Sequence, residues 1–322
     1  MQYVNLGRTG LKVSRLCLGT MNFGPRTSQP DSFAIMDKSL QLGFNFFDTA
    51  NVYGGQDAKG STEQIVGRWL AQGGRRDRIV LATKLYGNMG SGPNDRGLSA
   101  YNIRQACDDS LGRLQTDHID LYQMHHVERT TPWDEIWQAM QVLVQQGKIL
   151  YVGSSNFAGW DIAVANLMAS QRHFLGLISE QSVYNLANRT VELEVLPCCQ
   201  ALGLGVIPWS PLAGGLLGGV LQGNEGQRRT GDNMKKQIDK HRASLVQWEK
   251  LCCDLQESPA NVALAWLLHN PAVTAPIIGP RTMDQLTGVM RCLEIQLSQE
   301  MLQKLDAIWP GPGGPAPQAY AW

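Results

Sequence analysis

The fold is decided by one stretch. Ile119-Asp120-Leu121-Tyr122-Gln123-Met124 is a short β-branched and aromatic run. Thr131-Pro132 then opens a segment with Ile136, Met140, Leu143 and Val144 on one face, Gly147 stops it, and Ile149-Leu150-Tyr151-Val152-Gly153 is a second apolar run. A strand, a proline-started helix with threefold and fourfold apolar spacing, and another strand make a parallel crossover unit. The pattern repeats outward in both directions. Upstream lie Leu16–Leu18, Phe44–Phe47 and Ile79–Ala82; downstream lie Leu177–Glu180, Gly205–Pro208 and Val273–Ile278. Helical spacing fills the gaps: from a cap at Asp31 to Leu42, from Ser61-Thr62-Glu63-Gln64, from Ser99, and over Trp160–Ala169, Thr190–Leu202, Pro259–Leu268, Thr282–Cys292 and Ser298–Ile308. Eight strand–helix alternations predict a closed (β/α)8 barrel, α/β class, rather than an open doubly wound sheet.

Three segments stand outside the repeat. Residues 2–13 alternate around Gly7-Arg8-Thr9-Gly10 and predict a β-hairpin that plugs the barrel floor. The stretch 213–259, basic around Arg228–Arg242, predicts a lid and a helix between the seventh and eighth strands. Residues 310–322 are rich in proline and glycine and predict a flexible tail whose aromatics fold over the barrel mouth, so that 1–322 forms one domain.

Composition narrows the function. Of 322 residues, 28 are Lys or Arg and 28 are Asp or Glu, a balance that argues against a general nucleic-acid binder. No apolar run approaches a membrane span, and Met1–Arg8 has no basic-then-apolar leader, so a cytoplasmic protein is expected. Seven cysteines, with Cys198-Cys199 and Cys252-Cys253 adjacent and no CxxC, fit reduced thiols rather than a disulfide framework. His125-His126 lacks an HxH pattern, and His118, His173, His241 and His269 fall elsewhere in the repeat, so no metal site is expected.

Catalytic groups of such barrels sit past the carboxyl ends of strands. Those positions carry Asp48 and Tyr53, Lys84, His125-His126, Ser154-Ser155-Asn156, Glu180-Gln181, Trp209-Ser210-Pro211 and Gly279-Pro280-Arg281. A buried charge is costly unless paired, so Asp48 and Lys84 on neighbouring strands are expected to pair. An ammonium beside Tyr53 is expected to lower the phenol pKa, and His125 to orient a substrate oxygen, which suits proton transfer to a carbonyl as hydride arrives. Alone, Asp48 with Lys84 also reads as a structural ion pair. Gly214-Gly215 and Gly218-Gly219 let backbone approach a pyrophosphate, Trp209 offers a face for nicotinamide, and Arg281 at a helix start suits a 2′-phosphate. Met21, Asn22 and Phe23, after the first strand, are expected at the pocket wall.

At these residues the chain resembles the aldo-keto reductase superfamily. The resemblance rests on Phe46–Gly54, Ala82-Thr83-Lys84, Asp117–His125, Gly153–Phe157, Trp209–Leu217 and Ile278–Thr282. Within the superfamily it looks most like the bacterial branch related to potassium-channel β subunits. The resemblance implies an NADPH-dependent carbonyl reductase, with NADH the less favoured cofactor. It assigns Tyr53 as acid/base, Asp48 and Lys84 as its tuning pair and His125 as the orienting group. It places Gly19, Thr20, Met21, Asp48, Ser155, Asn156, Gln181, Trp209, Ser210, Pro211, Leu212, Gly214, Leu216, Gly279, Arg281 and Gln285 at the cofactor. It departs from the family pattern at Gly288-Val289, where an acidic residue and asparagine are common, and at His126, where tryptophan is common. The implied partner is a small carbonyl compound, and such barrels also assemble as homo-oligomers. The alternative reading is an NADP(H)-binding regulatory subunit with little turnover.

Overall fold

Alternation along each strand sorts the chain into two apolar layers and one polar one. The computed structural model describes residues 1–55, 57–221 and 231–321. A hairpin of β1 (Tyr3–Asn5) and β2 (Lys12–Ser14) comes first, paired antiparallel with Val4 opposite Val13. Then follow β3 (Cys17–Gly19), α1 (Gln29–Gln41), β4 (Phe46–Asp48), α2 (Ser61–Leu70), β5 (Val80–Leu85), α3 (Ala100–Leu114), β6 (Ile119–Met124), α4 (Trp133–Gln145), β7 (Ile149–Ser155), α5 (Gly159–Gln171), β8 (Leu177–Gln181), α6 (Val195–Leu202) and β9 (Gly205–Val206). After β9 come α7 (Asp232–Lys240), α8 (Arg242–Asp254), α9 (Pro259–His269), β10 (Ile277–Ile278), α10 (Met283–Gly288), α11 (Gln299–Ile308) and α12 (Gln318–Ala321).

The strands β3 to β9 pair in parallel in chain order, and β10 pairs with β3. Closure comes just before β10: Val206 bridges Val273 in parallel, Thr274 N–H donates to Val206 O at 2.8 Å, and Ile277 N–H donates to Pro208 O at 2.8 Å. The barrel expected from the eightfold alternation is therefore present, with the hairpin beneath it.

Leu6 and Val13 of the hairpin join Phe46, Ala82, Leu121, Ile178, Ile207 and Ala275 in a core inside the barrel, and both are fully buried. The turn needs Gly7: its φ is +56°, and a Cβ there would lie 2.4 Å from Ile178 O. Two residues above this layer the same strand faces turn polar, Phe46 giving way to Asp48, Ala82 to Lys84 and Leu121 to Gln123. The floor of the site is thus the ceiling of the inner core. A second, larger core fills the space between strands and helices; there Phe47 stacks on Trp69 with centroids 5.5 Å apart.

Several local expectations are corrected. The cap of α1 is Ser28, whose side chain accepts from Asp31 N–H; Asp31 sits in the first turn, where its carboxylate also suits the helix dipole. Thr190–Leu202 and Thr282–Cys292 each begin or end as a 3-10 turn rather than continuing as one helix. Among the described residues the 213–259 insert holds α7 and α8 where one helix is expected, and its residues 222–230, including Arg228 and Arg229, lie outside the described residues. Trp309, just before the tail, is buried, and within the tail Ala316 N–H donates to Leu193 O at 2.9 Å; the side chains of Tyr320 and Trp322, expected over the mouth, lie outside the described residues. Among the described residues no helix is long and apolar enough to cross a membrane.

Candidate active site

The ends of β4, β5, β6 and β8 bring four polar side chains together at the barrel mouth. Lys84 Nζ, fully buried, donates to Asp48 Oδ1 at 2.5 Å, to Thr49 O at 2.9 Å and to Tyr53 Oη at 3.3 Å. An ammonium has three protons, and these three acceptors use them all. Tyr53 therefore receives a hydrogen bond from Lys84, and its own proton points elsewhere. Burial pulls the Lys84 pKa down, but Asp48 and then Tyr53 raise it, and the net direction is upward; the cation persists.

At Tyr53 the expected lowering by the Lys84 ammonium is present but outweighed. Burial raises its pKa more than the Lys84 charge lowers it, so the net shift is upward from 10.0 and the phenol holds its proton at neutral pH. His125 stands edge-on to Tyr53, ring centroids 6.1 Å apart, and its ring has no hydrogen-bond partner among the described residues. Burial, then the charges of Lys84 and His126, push its pKa down to about 3, so the imidazole is neutral. His126 packs instead on Tyr86, centroids 5.5 Å apart, and Tyr86 holds a backbone φ of +122°. That conformation, one residue past the end of β5 that carries Lys84, is strained for any side chain with a Cβ.

Asp48 has a second set of partners, of which sequence reading singled out Gln181 as a cofactor residue and missed Gln123. Its Oδ2 accepts from Gln123 Nε2 at 3.0 Å and from Gln181 Nε2 at 2.9 Å. Alternation alone could have flagged Gln123, since it lies two residues before His125 on the same inward face.

The expected cofactor residues fall around this centre. Thr20 Oγ1 donates to Asp48 O at 3.0 Å, Gly19 is buried beneath it, and Met21 is 48% exposed beside them. Asn22 ties this loop to the end of β10 by donating to Gly279 O at 2.8 Å, while Phe23 packs into the outer core rather than lining the pocket. At the end of β7, Ser155 Oγ donates to Gln181 O, and Asn156, at φ +60°, donates to Ser155 Oγ and accepts from Trp209 Nε1 at 3.0 Å. Behind this corner the fully buried Glu180 accepts from Ser154 Oγ, from Ser182 Oγ at 2.6 Å and from Phe157 N–H at 3.1 Å. Trp209 is 37% exposed and leads through Ser210, Pro211 and Leu212 into a turn where Ser210, Ala213, Gly214 and Gly215 all have positive φ. Gly214 N–H donates to Ser210 Oγ at 3.1 Å, and Leu216 is buried beneath the turn. Among the described residues a Cβ at Gly214 or Gly215 would meet nothing within 4 Å, which leaves this face open to a bound group. Arg281 has no carboxylate partner among the described residues, and Gln285 is engaged with it, accepting from Arg281 N–H at 2.9 Å. Among the described residues no cluster of His, Cys, Asp or Glu is placed to hold a metal.

The chain is similar to known proteins along nearly its whole length. The model of the aldo/keto reductase family matches residues 15–310. The chain is 56% identical to an uncharacterized oxidoreductase, YrpG, of Bacillus subtilis over the whole of both chains. It is 35% identical to a probable voltage-gated potassium channel subunit beta of Oryza sativa over 96% of each, and 33% identical to norsolorinic acid reductase A of Aspergillus parasiticus over 94% of this chain and 79% of that one. A barrel closed over a buried Asp–Lys pair with tyrosine and histidine at its mouth, and a family match along nearly the whole chain, lead to one assignment: the chain belongs to the aldo/keto reductase family.

Proposed function

We propose that this oxidoreductase reduces an aldehyde or ketone with NADPH, Tyr53 giving the proton. Carbonyl reduction with a nicotinamide cofactor is the general activity of the family. The single observation that carries the finer reading is the direction of the Lys84 bonds. With Lys84 donating into Tyr53 Oη at 3.3 Å, the phenol proton is free to meet a carbonyl oxygen lying between Tyr53 and His125.

The residues present fit the cofactor. Gln181 Oε1 accepts no hydrogen bond among the described residues and suits the amino group of a carboxamide, with Ser155 and Asn156 beside it. Trp209 supplies a ring face, the open turn at Gly214-Gly215 suits a pyrophosphate, and Arg281 suits a 2′-phosphate, which favours NADPH over NADH. When bound, the cofactor supplies hydride to the carbonyl carbon. The neutral imidazole of His125 donates to the carbonyl oxygen and fixes its direction. Tyr53 passes its proton to that oxygen, and the phenolate left behind faces the Lys84 cation, which Asp48 and Thr49 O hold in place. In the absence of substrate burial keeps Tyr53 protonated, the state a reductase needs.

The working partner is then a small carbonyl compound, and the seven free thiols support a reducing, cytoplasmic setting. The likeness to a potassium channel subunit favours a second reading, a cofactor-binding regulatory subunit. One experiment separates them: NADPH oxidation followed by absorbance over a panel of aldehydes, beside NADH and Tyr53→Phe. Turnover that collapses in Tyr53→Phe while cofactor binding survives supports the reductase. Equal turnover in the variant removes Tyr53 as the acid. Tight NADPH binding with no oxidation across the panel supports the regulatory subunit.

A further inference from the structure

We infer that Gln123 is a positioning residue, locking the Gln181 amide with its oxygen toward the cofactor while holding Asp48 against Lys84. Cofactor grip and the proton-transfer group thus hang on one hydrogen-bonded chain. The inference rests on the nicotinamide reading above.

Gln123 is fully buried and faces inward, directly above the apolar layer that holds Leu121. A polar side chain there costs stability unless its donors and acceptors are met. Its Nε2 donates to Asp48 Oδ2 at 3.0 Å, and its Oε1 accepts from Gln181 Nε2 at 3.2 Å. Gln181 Nε2 also donates to Asp48 Oδ2, at 2.9 Å. A carboxylate oxygen only accepts, so both amides must turn nitrogen toward Asp48. Gln123 then has only its oxygen to offer the Gln181 nitrogen. The polarity of the chain is fixed by chemistry: nitrogen of Gln181 inward, oxygen outward. An outward acceptor is what an amide NH2 requires. The other oxygen of Asp48 accepts from Lys84, so the two amides also balance the carboxylate against the ammonium that serves Tyr53.

A leucine or methionine at this position would fill the same volume, so packing alone does not call for glutamine. The test uses the intact chain with Gln123→Met and Gln123→Glu, and reads NADPH affinity from quenching of tryptophan fluorescence, with thermal melting and turnover alongside. Protonated glutamate can stand in for the amide, its O–H donating to Asp48 and its carbonyl accepting from Gln181; ionised glutamate repels Asp48. The dissociation constant of Gln123→Glu is expected to stay within about threefold of wild type at about pH 5.5, and to become weaker by about tenfold or more at about pH 8.5. Gln123→Met should be weaker by about tenfold at both. Weaker binding by Gln123→Met at an unchanged melting temperature, together with near-wild-type binding by protonated Gln123→Glu, is not produced by a packing role. Ratios to wild type that stay near one for both variants overturn the inference, as does a lowered melting temperature with unchanged affinity. Wild type that shows no quenching overturns the cofactor reading and this inference together; wild type that quenches while the variants match it overturns the inference alone.

Discussion

Glu180→Gln should make this protein more stable above neutral pH and leave it unchanged in acid. Glu180 is fully buried at the end of β8, facing Ser154 Oγ, Ser182 Oγ and the backbone N–H groups of Phe157 and Asn156, with no cation among its partners in the described residues; the thiols of Cys198 and Cys199 on α6 are its other titratable neighbours, and burial keeps both neutral. Burial pushes its carboxyl from an ordinary 4.5 up to about 7, against the pull of those donors. Below pH 4.5 the group is protonated folded or unfolded. Between 4.5 and about 7 the unfolded chain releases the proton and the folded chain keeps it, so the folded state binds more protons and stability falls as pH rises. At about 1.4 kcal/mol per pH unit across that window, the loss is about 3 kcal/mol once pH passes 7. Glutamine is neutral throughout and nearly isosteric. Its oxygen can accept from Phe157 and Ser182 and its nitrogen can donate to Ser154, whose proton is free to turn to Ser179 O, 3.3 Å away. Urea denaturation of both proteins from pH 4 to 9 gives the difference curve, in which every other titrating group cancels. The curve should be flat in acid and rise by about 3 kcal/mol in favour of the variant between pH 4.5 and 7. Parallel pH profiles, or a variant less stable at pH 8, would refute the assignment of an uncompensated buried carboxyl.

Other outcomes follow from the same structure. Arg113→Met strips the guanidinium from fully buried Glu63, 2.7 Å away, and should cost about 3–5 kcal/mol of unfolding free energy, read by denaturant melts; a loss under about 1 kcal/mol would mean Thr83 and Ser110 suffice. Gly67→Ala would set a Cβ 2.2 Å from Arg113 O where α2 meets α3, and is expected to destabilise by about 1–3 kcal/mol; an unchanged melting temperature would contradict so close a contact. The His125 ring should show no titration step by NMR between pH 5 and 8, because burial and Lys84 hold its pKa at about 3; a step near 6.5 would show the imidazole to be solvated. Lys84→Met should slow reduction by about a hundredfold or more while NADPH still binds, the removed cation being the one that faces the phenolate.

The sequence by itself settled the architecture, because periodicity is a local property. Ile119–Met124 forms a strand over the bounds its apolar run predicts, and the helices expected from Ser99, Pro259 and Ser298 begin there within a residue, capped by Ser99, Ser258 and Ser298. It also named Asp48, Tyr53, Lys84 and His125, since a charged or polar group at successive strand ends has no packing reason to be there. Where two local signals competed, it erred: Ser28 and Asp31 both suit a cap, and only the path of the preceding loop selects Ser28. The rest belonged to the tertiary structure. Whether Tyr53 is raised or lowered depends on how much water burial removes against one charge 3.3 Å away, a balance no spacing encodes. Gln123 and Gln181 lie 58 residues apart and meet only because closing the barrel turns both strands' inward faces onto the same carboxylate oxygen. Strand order is written in the chain; which donors share an acceptor is decided by closure.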